Sequence, residues 1–282
     1  MGNNSFTVLP MSQRFSLEPG KTYSGSLSIV NPADATDDFH YSVSVSPYGV
    51  MGEEYTADLV TMTNRSEIVK WIKIEEPTGR VKPNETKEVK FTITVPQNAP
   101  AGGQYAAIAV SSNEDVAATE GVAVNNVFEL ASLVYATVSG TTEHKGEILE
   151  NNFPGFVVSA PITLSAKISN EGNIHEDATF VITVKNFFTG EVILPTEDNE
   201  GHYNELIMPE STRDITREVN DLPALGVVKV SQTIYYLGDV KSVEKNVIIC
   251  PIWFMFLVGL TILAIIGTII GLVIKHKRKA RF

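Results

Sequence analysis

The chain has 282 residues, of which 43% are hydrophobic and 20% charged, so it can build folded cores and is not a disordered stalk. Five of its 22 basic residues follow Ile274, which leaves the first 246 residues with 17 bases against 33 acids, a net charge of −16. That balance argues against a nucleic-acid partner, which needs clustered lysine and arginine. A solvated acidic surface is the simpler interpretation, and a basic partner is the alternative.

The N-terminal sequence MGNNSF lacks the basic and apolar segments of a signal peptide. Phe6 also stands where a myristoylated chain carries serine or threonine. A large part facing outward normally needs an export signal, so we expect that a signal sequence is missing from this version of the chain.

The chain before residue 247 is predicted to form strands. Apolar and polar residues alternate with a period of two at 26–29, 41–46, 89–95 and 162–169. Turn-forming residues separate the runs at 18–20, 31–34, 82–85 and 170–173. Such alternation is typical of strands with one face in a core and one in water. The predicted fold is all-β: two tandem Ig- or Fn3-like antiparallel β-sandwiches followed by one C-terminal transmembrane α-helix.

Three landmarks occur twice in the same order, which indicates two copies of one sandwich plan. In the first landmark, Ile29 and Asn31 correspond to Ile168 and Asn170. The other two are Pro-x-x-Thr turns at Pro83 and Pro209 and Pro-Ala turns at Pro100 and Pro223. Residues 127–138 supply a closing strand for the first copy. The predicted organisation is a first sandwich at 1–142, a linker at 143–150, a second sandwich at 151–246, a transmembrane helix at 247–274 and a tail at 275–282.

The uncharged segment Val247–Ile274 is 28 residues long, and about 20 apolar residues suffice to cross a bilayer as a helix. Basic residues near a span stay on the cytoplasmic side, so we expect a single-pass protein with its large N-terminal part outside. A tail-anchored protein facing the cytosol is the competing arrangement. The basic residues of the predicted cytoplasmic tail are Lys275, Lys277, Arg278, Lys279 and Arg281.

Within the span, Trp253 is a candidate interface anchor. Gly267 and Gly271 have the spacing that lets two helices approach closely, which makes a homodimer through the helix an alternative to a simple anchor. Cys250 is the sole cysteine, so no intramolecular disulfide forms. It is interpreted as a small apolar residue at the interface, with acylation as the alternative.

The sequence has no zinc, phosphate-cradling or nucleophile-elbow motif, and we assign no catalytic residue, cofactor or metal ligand. A carbohydrate-active enzyme with a spatial carboxylate pair remains an alternative. Two acidic loops have carboxylates that calcium can bind, although solvated loop acids are the simpler interpretation. These acids are Asp34, Asp37 and Asp38 in one loop and Glu197, Asp198 and Glu200 in the other.

Aromatic residues are the better candidates for binding. Tyr48, Tyr55 and Trp71 flank an insertion at 47–74 that interrupts the strand alternation. They are a candidate platform for sugar rings or for the edge of a partner protein. The alternative for Trp71 is a place in the core, as is common for sandwich tryptophans.

Several short motifs resemble the bacterial WxL-interacting proteins. They are an alternating strand ending in Asn-Pro at 15–32, a strand ending in Val-Pro at 81–96, the segment Pro-x-Gly-Gly-x-Tyr at 100–105 and a closing strand at 131–140. The resemblance implies a first domain associated with peptidoglycan, a second Ig-like domain associated with host or partner binding, and a C-terminal anchor.

The predicted function is therefore a non-enzymatic binding or adhesion protein of the bacterial cell surface. Its partner would be cell-wall glycan or a surface protein such as a WxL protein. The alternative is an accessory subunit of a membrane transport or secretion complex.

Overall fold

A computed structural model describes residues 6–112, 129–196 and 200–279. It confirms the predicted fold class, because this part of the chain is all-β apart from a short 3-10 helix and one long C-terminal α-helix. The chain divides into two compact units. The first unit runs to Gly146 and includes Ser169–Glu176 and Ile207–Arg213, and the second contains the remainder.

The first unit is a sandwich of two sheets. One sheet has the strand order β1-β3-β9-β7 and the other β2-β11-β10-β4-β8, while β5 and β6 form a separate hairpin. The 3-10 helix, Glu67–Lys70, precedes β7. The strands are β1 (Thr7–Leu9), β2 (Ser12–Leu17), β3 (Thr22–Val30), β4 (Phe39–Pro47), β5 (Gly49–Met51), β6 (Thr56–Asp58), β7 (Ile72–Ile74), β8 (Thr78–Val81), β9 (Thr86–Thr94), β10 (Gly102–Ser112) and β11 (Glu129–Val138).

The core of the first unit lies between these two sheets. Ile29 and Phe91 enter it from the four-stranded sheet, and Ile108 and Val134 enter it from the other, all fully buried. Burying each such side chain contributes about 1.5–3 kcal/mol, so the alternating residues that predicted the strands also hold the sheets together.

The remaining strands form two further sheets. Their orders are β12-β14-β18 and β13-β20-β19-β15-β16, and β17 also pairs with β15. Leu164 from the first of these sheets packs with Ile182, Val230 and Val247 from the second. The strands are β12 (Gly146–Asn152), β13 (Phe156–Val157), β14 (Ile162–Asn170), β15 (Glu176–Asn186), β16 (Val192–Leu194), β17 (His202–Ile207), β18 (Ser211–Val219), β19 (Gly226–Tyr236) and β20 (Asp239–Ile249).

Two strand pairings are parallel, whereas the sequence predicts antiparallel sheets. β2 runs parallel to β11, and β13 runs parallel to β20. In each copy the first edge segment is divided between the two sheets of that copy. In the first copy β1 joins the four-stranded sheet and β2 the five-stranded sheet, and in the second copy β12 joins the sheet of β14 and β13 the sheet of β20. The second half of the segment, β2 or β13, then lies beside the last strand of its copy, β11 or β20, and runs in the same direction. This shared arrangement agrees with two copies of one plan.

The repeated asparagines have the same role in both copies. The side-chain amide of Asn31 donates hydrogen bonds to the carbonyls of Asp37 and Val81, at 3.0 and 2.9 Å. The amide of Asn170 likewise donates to the carbonyls of Ile174 and Ile207, at 2.8 and 3.0 Å. Both asparagines are buried, and each one ties a loop carbonyl to the carbonyl at the end of a strand.

We expect Asn31→Ala to lower the free energy of unfolding by about 2 kcal/mol, because the buried Val81 carbonyl loses its donor. The measurement is urea denaturation of the detergent-solubilised chain. The exposed Asn98 provides the control: Asn98→Ala is expected to change the free energy by no more than about 0.5 kcal/mol. Equal effects of the two substitutions would show that the Asn31 amide is not a structural tie.

The predicted linker and transmembrane helix differ from the structure at their boundaries. β12 begins at Gly146, inside the predicted linker at 143–150. Val247 and Ile249 belong to β20, where they are fully buried, and the helix α1 extends over Ile252–Lys279. In a sequence, an uninterrupted apolar run does not reveal where a core strand ends and a helix begins. In the structure, Cys250 and Pro251 lie between β20 and α1.

Candidate functional site

The first unit carries a hairpin that belongs to neither of its two large sheets. β5 pairs with β6 from Gly49 opposite Asp58 to Met51 opposite Thr56. The turn between them contains two residues of positive φ, Gly52 and Tyr55. An isolated two-stranded hairpin is marginally stable in water, so its conformation depends on side-chain contacts outside the ribbon.

Tyr55 supplies those contacts within the first unit. Its hydroxyl bonds to the Ser211 hydroxyl and accepts a hydrogen bond from the Met208 amide at 3.0 Å. The guanidinium of Arg213 lies 4.7 Å from the centre of the Tyr55 ring, a cation–π distance. Tyr55 therefore anchors the hairpin, and its half-buried ring is not presented as an open platform.

Asp58 fixes the chain that leaves the hairpin. Its Oδ1 accepts hydrogen bonds from the amides of Val60 and Thr61, both at 3.0 Å. Hydrogen bonds from Thr61 and Val60 hold the pKa of the Asp58 carboxyl below its usual value. This turn directs Val60 into solvent, where 86% of it is exposed.

Val60 is part of a group of exposed apolar side chains that we call the hairpin patch. Exposed apolar residues are ordinary when scattered, but several within twelve residues of one ordered loop are typical of an interaction surface. The two methionines add flexible side chains that adapt to a partner. The hairpin patch consists of Met51, Leu59, Val60 and Met62, which are 53%, 37%, 86% and 46% exposed.

A second group of aromatic residues surrounds Tyr135 on β11. Tyr105 is its register partner on β10, and their ring centres are 6.0 Å apart. Tyr48 packs edge-on against Tyr135 at 5.8 Å. The His175 ring lies 5.5 Å from Tyr135, and its Nδ1 is 3.2 Å from the Tyr105 hydroxyl. Of the predicted platform residues, Tyr48 is thus half-buried at the edge of an aromatic cluster.

Trp71 lies elsewhere. It is 8% exposed and belongs to the core of the first unit, together with Ile68 and Ile72. Trp71 therefore lies in the core, which was the alternative interpretation of this residue, and its ring is not accessible to a ligand. The sequence does not single out Tyr135, His175 or the hairpin patch, and Tyr105 appears in it only as the last residue of the Pro-x-Gly-Gly-x-Tyr motif. The sequence feature that could have indicated the hairpin patch is a set of large apolar residues inside a loop rich in threonine and asparagine.

Burial raises the pKa of Tyr135, Tyr105 and Tyr55. These phenols keep their protons in the folded chain at pH values where an unfolded chain, with tyrosine pKa near 10, loses them. The folded state then binds more protons than the unfolded state, so the stabilisation is complete below about pH 10 and is lost as pH rises above it.

We therefore expect the melting temperature of the solubilised chain to fall steeply above about pH 10. Tyr135→Phe keeps the ring and removes one phenol, whose oxygen is 3.5 Å from the Tyr48 hydroxyl. This variant should match the parent at pH 7 and lose less stability between pH 9 and 11. Parallel loss in both chains would rule out a contribution from Tyr135.

The acidic loops show no assembled cation site in the described part of the chain, where no group of three or more His, Cys, Asp or Glu side chains is placed to hold a metal. Asp38 is 3.5 Å from Arg80, and Asp37 accepts a hydrogen bond from the Thr36 hydroxyl at 2.7 Å. Glu197 and Asp198 lie outside the described residues.

The helix contains a segment, Ile252–Leu272, that is long and apolar enough to cross a membrane. Trp253 at its start is 60% exposed. The surroundings of Gly267 and Gly271 are open, which leaves helix pairing a prediction. Lys275, Lys277, Arg278 and Lys279 belong to the last turns of α1, and Arg281 lies outside the described residues.

No protein-family model and no curated protein matches the chain. Solved structures with a similar arrangement include the class 5 fimbriae chaperone CfaA, the E. coli chaperone DraB and the CsuC-CsuE chaperone–tip adhesion subunit complex of Acinetobacter baumannii. Identities are 12%, 14% and 11%, and TM-scores are 0.39, 0.40 and 0.40. The matches cover 86%, 85% and 86% of this chain and 99%, 96% and 98% of those chains. Likenesses this weak do not transfer a function.

Proposed function

We propose that this chain is a membrane-anchored protein of the bacterial cell surface that binds another surface protein, without catalysis, through the hairpin patch. The basic tail would lie in the cytoplasm and the two units outside. The observation that carries the proposal is the exposure of Met51, Val60 and Met62 on an ordered loop.

The local contacts support binding by a preformed surface. Tyr55 is held by Ser211 and Met208, and Asp58 holds the amides of Val60 and Thr61. A loop already ordered before association loses less conformational entropy when a partner binds. The apolar side chains then contribute by leaving water.

The resemblance to the WxL-interacting proteins supplies the partner class: a surface protein that carries WxL motifs. The acidic residues Glu53 and Glu54 border the hairpin patch, so a partner with an apolar centre and a basic rim is favoured.

Gel filtration of the detergent-solubilised full chain with purified WxL proteins tests the proposal. We expect a stoichiometric complex with at least one of them. Absence of any complex would remove this partner class. A stoichiometric complex with a transport or secretion protein in its place would favour the accessory-subunit alternative.

Binding of cell-wall glycan is a second candidate, supported by a different surface. On the outer face of the five-stranded sheet, Ser42, Ser44 and Ser46 of β4 form a row of small polar side chains that leads to Tyr48. Tyr48 and Tyr135 stand at the end of this row and offer aromatic surface to a sugar ring. Co-sedimentation of the full chain with purified cell wall, reduced by Tyr48→Ala, is the expected result. Absence of co-sedimentation would remove this candidate.

A further inference from the structure

One end of the second unit lies next to the start of α1. β20 ends at Ile249, and α1 begins three residues later at Ile252, a separation of at most about 11 Å. Gly226 pairs with Ile249, and Phe156 pairs with Ile248. Asn186, at the end of β15, pairs with Val228. Three segments of the chain therefore meet near the helix start: 153–161, 186–190 and 222–228. We call them the helix-end loops.

Charged residues adjoin the helix-end loops, since Asp221 and Glu191 are exposed immediately beside them and the Lys245 ammonium donates a hydrogen bond to the Phe153 carbonyl at 2.8 Å. Charge therefore does not set this end of the sandwich apart from the rest of the surface. Its exposed apolar side chains do, because loops between strands ordinarily face water and are polar.

Large apolar side chains are exposed at the same end. Phe187 and Phe188 form the tip of the β15–β16 turn, with ring centres 5.2 Å apart, and Phe188 is 76% exposed. Exposed aromatic residues of this kind are enriched at membrane interfaces. The others are Phe156, Val158, Leu225 and Ile248, which are 48%, 41%, 41% and 47% exposed.

Amides of the β15–β16 turn have hydrogen-bond acceptors in the chain. The side-chain oxygen of Asn186 accepts hydrogen bonds from the amides of Phe188 and Thr189, at 2.9 and 3.1 Å. The Gly190 amide donates to the Asn186 carbonyl at 3.0 Å. A turn that satisfies its own amides enters an apolar layer without leaving those donors unpaired.

We propose that the helix-end loops lie in the interfacial layer of the bilayer that α1 crosses, with Phe187 and Phe188 inserted among the lipids. The lipid surface is the partner because the spanning segment starts within three residues of this end. Trp253, at the start of α1, lies at the same depth. The second unit is then seated on the membrane. This inference rests on the membrane anchoring proposed above and not on the binding of a surface protein.

The test uses the full chain in vesicles of phosphatidylcholine and phosphatidylglycerol that contain no other protein. Cys250→Ser removes the natural thiol, and Phe188→Cys provides a site for an environment-sensitive fluorophore. Val240→Cys is the matched control, because Val240 is 55% exposed and lies nine residues from Ile249, about 30 Å along β20.

We expect nitroxide-labelled lipids to quench the fluorophore at position 188 at least twofold more than at position 240. Equal quenching at both positions would overturn the proposal. A third outcome is equal quenching at positions 188 and 240 in pure lipid, with the fluorophore at position 188 shielded in native membranes. That outcome would mean that the helix-end loops contact a membrane protein and not lipid, which also overturns the proposal.

An unlabelled comparison excludes insertion driven by the dye. In the same vesicles, the double variant Phe187→Ser and Phe188→Ser should show several-fold faster hydrogen exchange at 222–228 than the parent, with no change at 236–241. Unchanged exchange at 222–228 would contradict lipid contact by the two phenylalanines.

Discussion

A chain carrying Val60→Asp and Met62→Asp is expected to bind its surface-protein partner at least about 100-fold more weakly, a loss of about 2.7 kcal/mol. Both substitutions place a charge where the hairpin patch would be desolvated, and a buried charge without a partner is costly. The measurement is the dissociation constant of the solubilised full chain. The melting temperature should not change, because Val60 is 86% exposed and Met62 is 46% exposed.

Val240→Asp is the matched control for this prediction. Val240 is an exposed apolar residue on β20 of the second unit, so the control adds the same charge outside the hairpin patch. Its affinity should stay within about twofold of the parent. Similar weakening by both variants would mean that added acid, and not loss of the patch, reduces binding.

Gly25→Val is expected to destabilise the first unit by about 3 kcal/mol or more, because the core at this position has no space for a larger side chain. Gly25 is the register partner of Phe91, and an added Cβ would lie 2.3 Å from the Phe91 Cζ. Phe91 is fully buried and packs against Phe15 with ring centres 6.1 Å apart. Urea denaturation measures the loss.

Gly49 provides the control for this substitution. An added Cβ at Gly49 would meet no atom within 4 Å, and valine suits a strand. Gly49→Val should therefore change the free energy of unfolding by no more than about 0.5 kcal/mol. Equal stability of the Gly25 and Gly49 variants would show that the Phe91 ring is not fixed over Gly25.

The strands were predictable where their two faces differ. In β3 and β9, every second residue enters the core, so the pattern of period two in the sequence is the burial pattern of the structure. The two asparagines of the repeat could also be recognised in the sequence, because a buried amide that ties a strand-end carbonyl to a loop carbonyl constrains the residue type.

The limits of prediction have equally particular causes. Val247 and Ile249 continue into an apolar helix without a change of composition, so the end of β20 was hidden. Tyr55 looked like a surface aromatic, because Ser211 and Arg213, which fix it, are about 150 residues away in the chain. The exposure of Val60 follows from the Asp58 turn and not from its own neighbours.

Site-specific photo-crosslinking in intact cells tests the central claim most directly. A photoreactive amino acid replaces Val60 in the full-length chain, and a second chain carries it at Val240. The account predicts that the chain with the probe at position 60 crosslinks to one surface protein, that the chain with the probe at 240 does not, and that protease added outside the cells removes the product. Crosslinking of position 60 to cytosolic proteins, or equal crosslinking from both positions, would contradict a cell-surface protein that binds through the hairpin patch.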